Sequence, residues 1–242
     1  AFTNTSGDVS YVGTAYTFGV KTYERTMFGW GQGDYGKLGV NSAVTYSSPI
    51  QIPGTNWSSG SGIIETKNHG TIWNRLSIKT DGTLWSWGYN GYGQLGHNNL
   101  TKYSSPVQVG SDTTWKVVAV GETDESGDRF SLSIKTDGTL WSWGRNVSGS
   151  LGLNNRTSYS SPVQIPGTTW SYVSAGNEVV AIKTDGTLWM WGFNKYGELG
   201  QNNVTYYSSP VQIPGTTWAT ASNGFSCTWA IKTDGTLWTW GT

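Results

Sequence analysis

At residues 183–192 the chain reads KTDGTLWMWG, and nearly the same line stands at 79–88, 135–144 and 232–241, with a degraded copy, KTYERTMFGWG, at 21–31. Asp-Gly between two apolar runs is a two-residue hairpin turn whose glycine takes positive φ, which predicts that conformation at Gly82, Gly138, Gly186 and Gly235. In the returning strand the side chains alternate, so Trp189 and Trp191 share one face while Leu188 and Met190 share the other. Both faces are apolar, so both are expected to be buried. Two short β-branched and aromatic runs come before the turn, at 170–175 (WSYVSA) and 179–184 (VVAIKT). After the returning strand, a glycine-punctuated crossing segment (192–200, GFNKYGELG) leads to a fourth strand, 209–213 (SPVQI), with proline near its start. Each repeat is therefore expected to be a four-stranded antiparallel sheet. No helical period persists along the chain.

The second Trp of each line falls at Trp30, Trp87, Trp143, Trp191 and Trp240, giving steps of 57, 56, 48 and 49 residues. That is the length of a propeller blade. From each of the first four of these tryptophans to the proline of the next Ser-Ser-Pro (Pro49, Pro106, Pro162, Pro210) is 19 residues, whereas the stretch onward to the next Trp is 38, 37, 29 and 30. Insertions are thus confined to one loop per repeat. The reading is an all-β propeller of five repeats forming a single domain over residues 1–242. Five Trp strands stand against four SSP strands, so one blade lacks its last strand. Pairing by residues 2–5 is expected to close the ring; residues after 242, or another subunit, are the alternatives.

The line WG-x-N-x-x-G-x-LG, at 87–96, 143–152, 191–200 and in shifted spacing at 30–39, followed by SSP-V-Q, resembles the repeat of the regulator-of-chromosome-condensation family. The resemblance implies a β-propeller. It implies little about activity, because such propellers serve nucleotide exchange, light sensing, enzyme inhibition and scaffolding. Members of the family usually have seven blades, not five. The family's G-x-x-H ahead of the second strand is absent, with Tyr16 and Cys227 in that slot in the first and last copies.

Composition narrows the function classes. Only 12% of residues are charged, with 15 Lys plus Arg against 15 Asp plus Glu, so no basic field exists to attract nucleic acid or an anionic membrane. No apolar run reaches 18 residues. The 34 glycines and 15 tryptophans place the burden of folding on turns and aromatic packing. One cysteine, Cys227, excludes a disulfide framework and a cysteine metal site; it is expected to act as a small buried hydrophobe.

A feature shared by every copy serves the scaffold, so function belongs where the copies differ. Asp81, Asp137, Asp185 and Asp234 precede the turn glycines and are assigned to turn geometry. Trp87, Trp143, Trp191 and Trp240, together with Trp57, Trp115, Trp170 and Trp218, recur in register and are assigned to the core. His69 and His97 lie in different repeats, and neither is placed with a nucleophile and an acid; His97 is expected to be a tolerated surface residue. No phosphate-binding or HExxH motif occurs. The expectation is a noncatalytic chain without cofactor or metal.

The copies differ most in two insertions. The first, 58–76 (SSGSGIIETKNHGTIWNRL), offers Asn68, His69, Trp73 and Arg75, aromatic and hydrogen-bonding groups suited to a polar partner. The second, within 120–130, carries Glu122, Asp124, Glu125 and Asp128, a cluster suited to calcium or to plain solvation. Both fall at equivalent points of neighbouring repeats and are expected to rise side by side on one face. The expected role is a binding or assembly module; the near-identical repeats with Asn/Thr/Ser-rich linkers resemble those in structural proteins of tailed bacteriophages and marine microbes, and that resemblance implies a capsid or tail decoration protein with a virion or extracellular location. The partners expected are protein neighbours, with a glycan as a second option and neither nucleic acid nor membrane. The alternatives are a secreted lectin-like or inhibitor propeller and a regulator of a small GTPase; a cytoplasmic location stays open and a nuclear one is disfavoured.

Overall fold

The computed structural model describes residues 10–11, 14–15, 24–58, 73–122, 127–224 and 226–242. Apart from a small hairpin of β1 (Ser10–Tyr11) and β2 (Thr14–Ala15), the strands form five antiparallel sheets in chain order. The first pairs β3 (Met27–Gly31) with β4 (Tyr46–Ile52), and the second runs β5 (Asn74–Ile78), β6 (Leu84–Gly88), β7 (Tyr103–Gln108). Two sheets are complete. They run β8 (Trp115–Glu122), β9 (Arg129–Lys135), β10 (Leu140–Gly144), β11 (Tyr159–Gln164) and β12 (Trp170–Ala175), β13 (Glu178–Lys183), β14 (Leu188–Gly192), β15 (Tyr207–Ile213). The last is β16 (Trp218–Asn223), β17 (Cys227–Lys232), β18 (Leu237–Gly241). In the second sheet an isolated bridge from Trp57 to Lys79 stands in for the first strand. We call the five sheets blades 1 to 5. The first strands β8, β12 and β16 lie against one another, so the blades fan out from a common inner line.

The repeated line builds one device per blade. Gly82, Gly138, Gly186 and Gly235 all have positive φ, between 77° and 84°. The preceding aspartate accepts from the amide and hydroxyl of the threonine two residues on, at 2.9 and 2.6 Å for Asp81 and Thr83. That threonine hydroxyl in turn accepts from Trp85 Nε1 at 2.8 Å. Lys79 Nζ lies 4.1 Å from the Trp85 ring centre and 5.1 Å from that of Trp57, a cation between two aromatic rings. Lys135, Lys183 and Lys232 repeat this arrangement. The Lys, Asp, Gly, second Thr and Trp of KTDGTLW are thus committed to the hairpin.

Blades are joined by a second device. Trp87, Trp143, Trp191 and Trp240 each donate Nε1 to a carbonyl in the crossing segment of the preceding blade, those of Lys37, Gln94, Ser150 and Glu198 respectively, at 2.6 to 3.1 Å. The glycine that follows the leucine repeated in each crossing segment lies against the same indole. A Cβ at Gly96 would stand 2.9 Å from Trp143 Nε1, so the Leu-Gly of each crossing segment is a packing requirement.

Two expectations, the place of proline and the burial of Cys227, change. Proline sits in the middle of the fourth strand, not at its start, because that strand is an edge of its sheet and carries a bulge there: the register slips between Met190 and Gly192, opposite the stretch that holds Pro210. Blade 5 does lack its fourth strand, but among the described residues nothing pairs with the outer edge of β18. Leu237 and Trp238 are 67% and 50% exposed, while Leu84, Leu140 and Leu188 at the equivalent point are fully buried. Residues 2–5, expected to close the ring, lie outside the described residues. Cys227 is half-buried, because its strand belongs to this uncovered blade.

Candidate functional site

The crossing segments and the loops between first and second strands emerge at the blade end opposite the Asp-Gly turns. There, in blades 2 and 3, the residue after Trp-Gly is pinned to the residue ahead of, or at the start of, the second strand, by Tyr89 N to Trp73 O at 2.8 Å and Arg145 N to Arg129 O at 2.9 Å. Sequence-variable side chains are thereby fixed in register on blades 2 and 3, next to the crossing segment of blade 1. They form a cluster. Tyr35, Trp73 and Tyr89 pack together with ring centres 4.9 to 5.4 Å apart, and Tyr92 joins Tyr89 at 6.1 Å. Three cations lie over these rings: Arg129 over Trp73 at 4.4 Å and Tyr92 at 5.9 Å, Arg145 over Tyr92 at 4.6 Å, and Lys102 over Tyr35 at 4.8 Å and Tyr89 at 5.0 Å. Arg145 is further held by a bond to Gly127 O at 3.1 Å. Tyr35 is 41% exposed, Lys102 is exposed and the others are half-buried, so rigid aromatic and cationic groups are presented to solvent. In blade 4 the residue after Trp-Gly, Phe193, is buried against Tyr206, which ends the cluster there.

Of the residues singled out in the first insertion, Trp73 is in the cluster. Arg75 is not: it lines a cleft of about 410 Å³ between blades 1 and 2, with Phe28, Trp30, Lys37 and Trp87. Burial holds the Arg75 guanidinium below its usual range, and burial followed by the charge of Arg75 does the same to Lys37. Asn68 and His69 lie outside the described residues. From the second insertion, Asp124 and Glu125 lie outside them too. Glu122 ends β8, paired with Arg129. Asp128 departs from the picture of an acidic surface loop. It is fully buried and accepts from Val147 N, Ser148 N and the Ser150 hydroxyl at 2.7, 2.8 and 3.1 Å, so it anchors the blade 3 crossing segment beneath the cluster. The flanks of the two insertions meet where Arg129 covers Trp73.

Tyr35, Tyr89, Tyr92, Lys102, Arg129 and Arg145 were missed by the sequence reading. For Tyr89 and Arg145 the signal was present, since after Trp-Gly the four copies read Gln32, Tyr89, Arg145 and Phe193; Tyr35 and Tyr92 share a position that is tyrosine in three of the four copies and gave no such signal. His97 is half-buried, not a free surface residue; its Nε2 lies 2.9 Å from Ser86 Oγ and burial lowers its pKa. This pair is no hydrolytic dyad, since Ser86 is fully buried and its hydroxyl donates to Leu95 O at 2.8 Å, as Ser142 does to Leu151 O at 2.7 Å. Among the described residues no group of three or more His, Cys, Asp or Glu could hold a metal.

The profile of the regulator of chromosome condensation (RCC1) repeat matches residues 26–59, 81–123, 137–182 and 185–230. The chain belongs to the RCC1 repeat family. It is 28% identical over 144 residues to the ultraviolet-B receptor UVR8 of Arabidopsis thaliana, covering 60% of this chain and 31% of that protein. To the human E3 ubiquitin-protein ligase HERC2 it is 29% identical over 140 residues, 58% of this chain and 3% of that one. The RCC1-repeat chain thus matches a third or less of these relatives. Among solved structures, Prp20p of Saccharomyces cerevisiae superposes with a TM-score of 0.70 at 18% identity, covering 92% of this chain and 54% of that chain. Human WBSCR16 gives 0.66 at 21%, covering 89% and 56%. These likenesses show the fold.

Proposed function

We propose that this RCC1-repeat propeller is a noncatalytic protein-binding module whose contact surface is the Tyr35, Trp73, Tyr89 and Tyr92 cluster with its three cations. The observation that carries the reading is the coincidence of Trp, Tyr and Arg on a solvent-facing patch of three blades, in which Trp73, Tyr89, Lys102, Arg129 and Arg145 stand at positions that vary between copies, while Tyr35 and Tyr92 share a position that is tyrosine in three of the four copies. These residue types anchor protein interfaces, since they bring large contact area with little rotamer freedom to lose. Support comes also from a relative of the same fold: Prp20p was characterised for binding to Gsp1p and histones. Arg129 over Trp73 occupies the flat ring face that a sugar would stack upon, which favours a protein over a glycan.

The finer expectation, a virion decoration protein among assembly neighbours, rests on the near-identity of the repeats alone; none of the relatives named above is a virion protein. The test is quantitative co-purification from an extract of the source organism. It compares wild type, the double variant Trp73→Ala/Arg129→Ala, and Lys232→Ala at the Asp-Gly end. Partners held by wild type and by Lys232→Ala but lost by the double variant support the proposal. Equal retention by all three overturns it, and a partner that is a capsid or tail protein supports the virion placement.

A further inference from the structure

Each junction between blades places three side chains together: the one opposite the blade's final glycine, the crossing-segment residue whose carbonyl receives the next tryptophan, and a second-strand residue of the next blade. Between blades 2 and 3 they are Asn74, Gln94 and Ser131, all fully or almost fully buried. Asn74 Nδ2 donates to Ser131 Oγ at 3.4 Å, and Ser131 Oγ donates to Gln94 O at 2.8 Å. Between blades 3 and 4 the three are Phe130, Ser150 and Val179, with apolar side chains in place of Asn74 and Ser131. Between blades 4 and 5 they are Glu178, Glu198 and Thr228, each 0% exposed. Thr228 Oγ1 lies 3.1 Å from Glu178 Oε1 and 3.0 Å from Glu198 O. The geometry is that of blades 2 and 3 with both amides replaced by acids.

A threonine hydroxyl has a single proton. Donated to Glu198 O, as Ser131 donates to Gln94 O, it leaves Thr228 Oγ1 to accept, and Glu178 must then donate as Asn74 does. We propose that Glu178 is kept as the neutral carboxylic acid, donating to Thr228, and that release of its proton to solvent weakens the docking of blade 5 on blade 4. Among the described residues no cation faces the charge that this release would create; what favours that charge is hydrogen bonding alone, from the Glu178 amide, Thr228 and Asn223. Glu178 stands on β13. The crossing segment brings Glu198 against it, β16 brings Asn223, whose Nδ2 donates to the Glu178 backbone carbonyl at 2.6 Å, and β17 brings Thr228 beside half-buried Cys227. The charge acting on Glu178 is that of another carboxylate, Glu198, and Glu178 Oε2 is buried without a hydrogen-bond partner. Burial first, and then Glu198, push the Glu178 carboxyl up to about 8. Because the folded chain then holds a proton that the unfolded chain has lost, stability falls as pH rises from the ordinary glutamate range to about 8 and levels off above it.

The test is a melting series from pH 5.5 to 9 on the full chain, wild type against Glu178→Gln, which keeps a donor for Thr228 but cannot ionise. Wild type should lose several degrees across the series beyond any loss by the variant, and the variant should melt higher at pH 9. Carboxyl ¹³C shifts of glutamate-labelled wild type, which need no variant to fold, should show one group titrating well above pH 6. Parallel melting slopes, or every glutamate titrating in its ordinary range, overturn the proposal. So does a rise in wild-type melting temperature on adding calcium, magnesium or potassium that the variant does not share, since the pair would then hold a cation.

Discussion

The two ends of each blade have opposite characters. At the Asp-Gly end, the lysine, aspartate, threonine and tryptophan of four blades make the same bonds at almost the same distances, and even the cation–aromatic contacts recur four times. At the crossing-segment end, the backbone bonds recur while most of the side chains change from blade to blade; a contiguous aromatic and cationic patch forms on blades 1 to 3, and blade 4 carries a single such contact, Lys195 over Tyr196. Cation–aromatic contacts alone therefore do not mark a functional surface. Those of Lys79, Lys135, Lys183 and Lys232 are part of the repeat, whereas Arg129, Arg145 and Lys102 stand where the other copies carry other residues.

This contrast separates stability from binding, and substitutions can break it. The largest effect is expected for Trp191→Ala, which empties a fully buried site where the indole also bonds Ser150 O. A loss of about 3–5 kcal/mol is expected by chemical denaturation. Asp128→Asn should cost about 1–3 kcal/mol, because it weakens a buried carboxylate's bonds to two amides and a hydroxyl. A cost near zero would place Asp128 with the surface acids after all. Alanine at the turn glycines should cost about 1 kcal/mol from positive φ alone, and this is all that Gly235→Ala should cost, because a Cβ there meets nothing within 4 Å. At Gly82 a Cβ would fall 1.9 Å from Thr113 O, so Gly82→Ala should be clearly worse than Gly235→Ala; equal costs would contradict the packing of turn on neighbouring blade. Smallest is Tyr92→Ala, half-buried at the variable end, which should change stability by no more than about 1 kcal/mol.

Much of the fold was legible in the sequence because the determinants are local. Asp-Gly fixes the hairpin, alternation fixes the faces, and the return of Trp57, Trp115, Trp170 and Trp218 in register marks them as core, where all four are buried. The position of proline within its strand was not legible, since it depends on a bulge in the partner register. Asp128 looked like its acidic neighbours, and only its partners 19 to 22 residues away show that it turns inward. The Glu178 and Thr228 contact spans 50 residues and needs the stacking of two blades to be seen. The aromatic patch was legible in principle. Comparison of the copies was applied to the long insertions, where length differs, and not to the crossing segments, where length is constant and only the side chains change.

The most direct test of the separation between a structural end and a binding end is site-specific photo-crosslinking in extract of the source organism. A benzophenone side chain would replace Tyr92 at the crossing-segment end or Trp238 near the Asp-Gly end, in otherwise wild-type chains of equal melting temperature. The account predicts discrete protein adducts from position 92, competed away by unlabelled wild type but not by Trp73→Ala/Arg129→Ala, and no competed adduct from position 238. Competed adducts from position 238 with none from position 92 would contradict it.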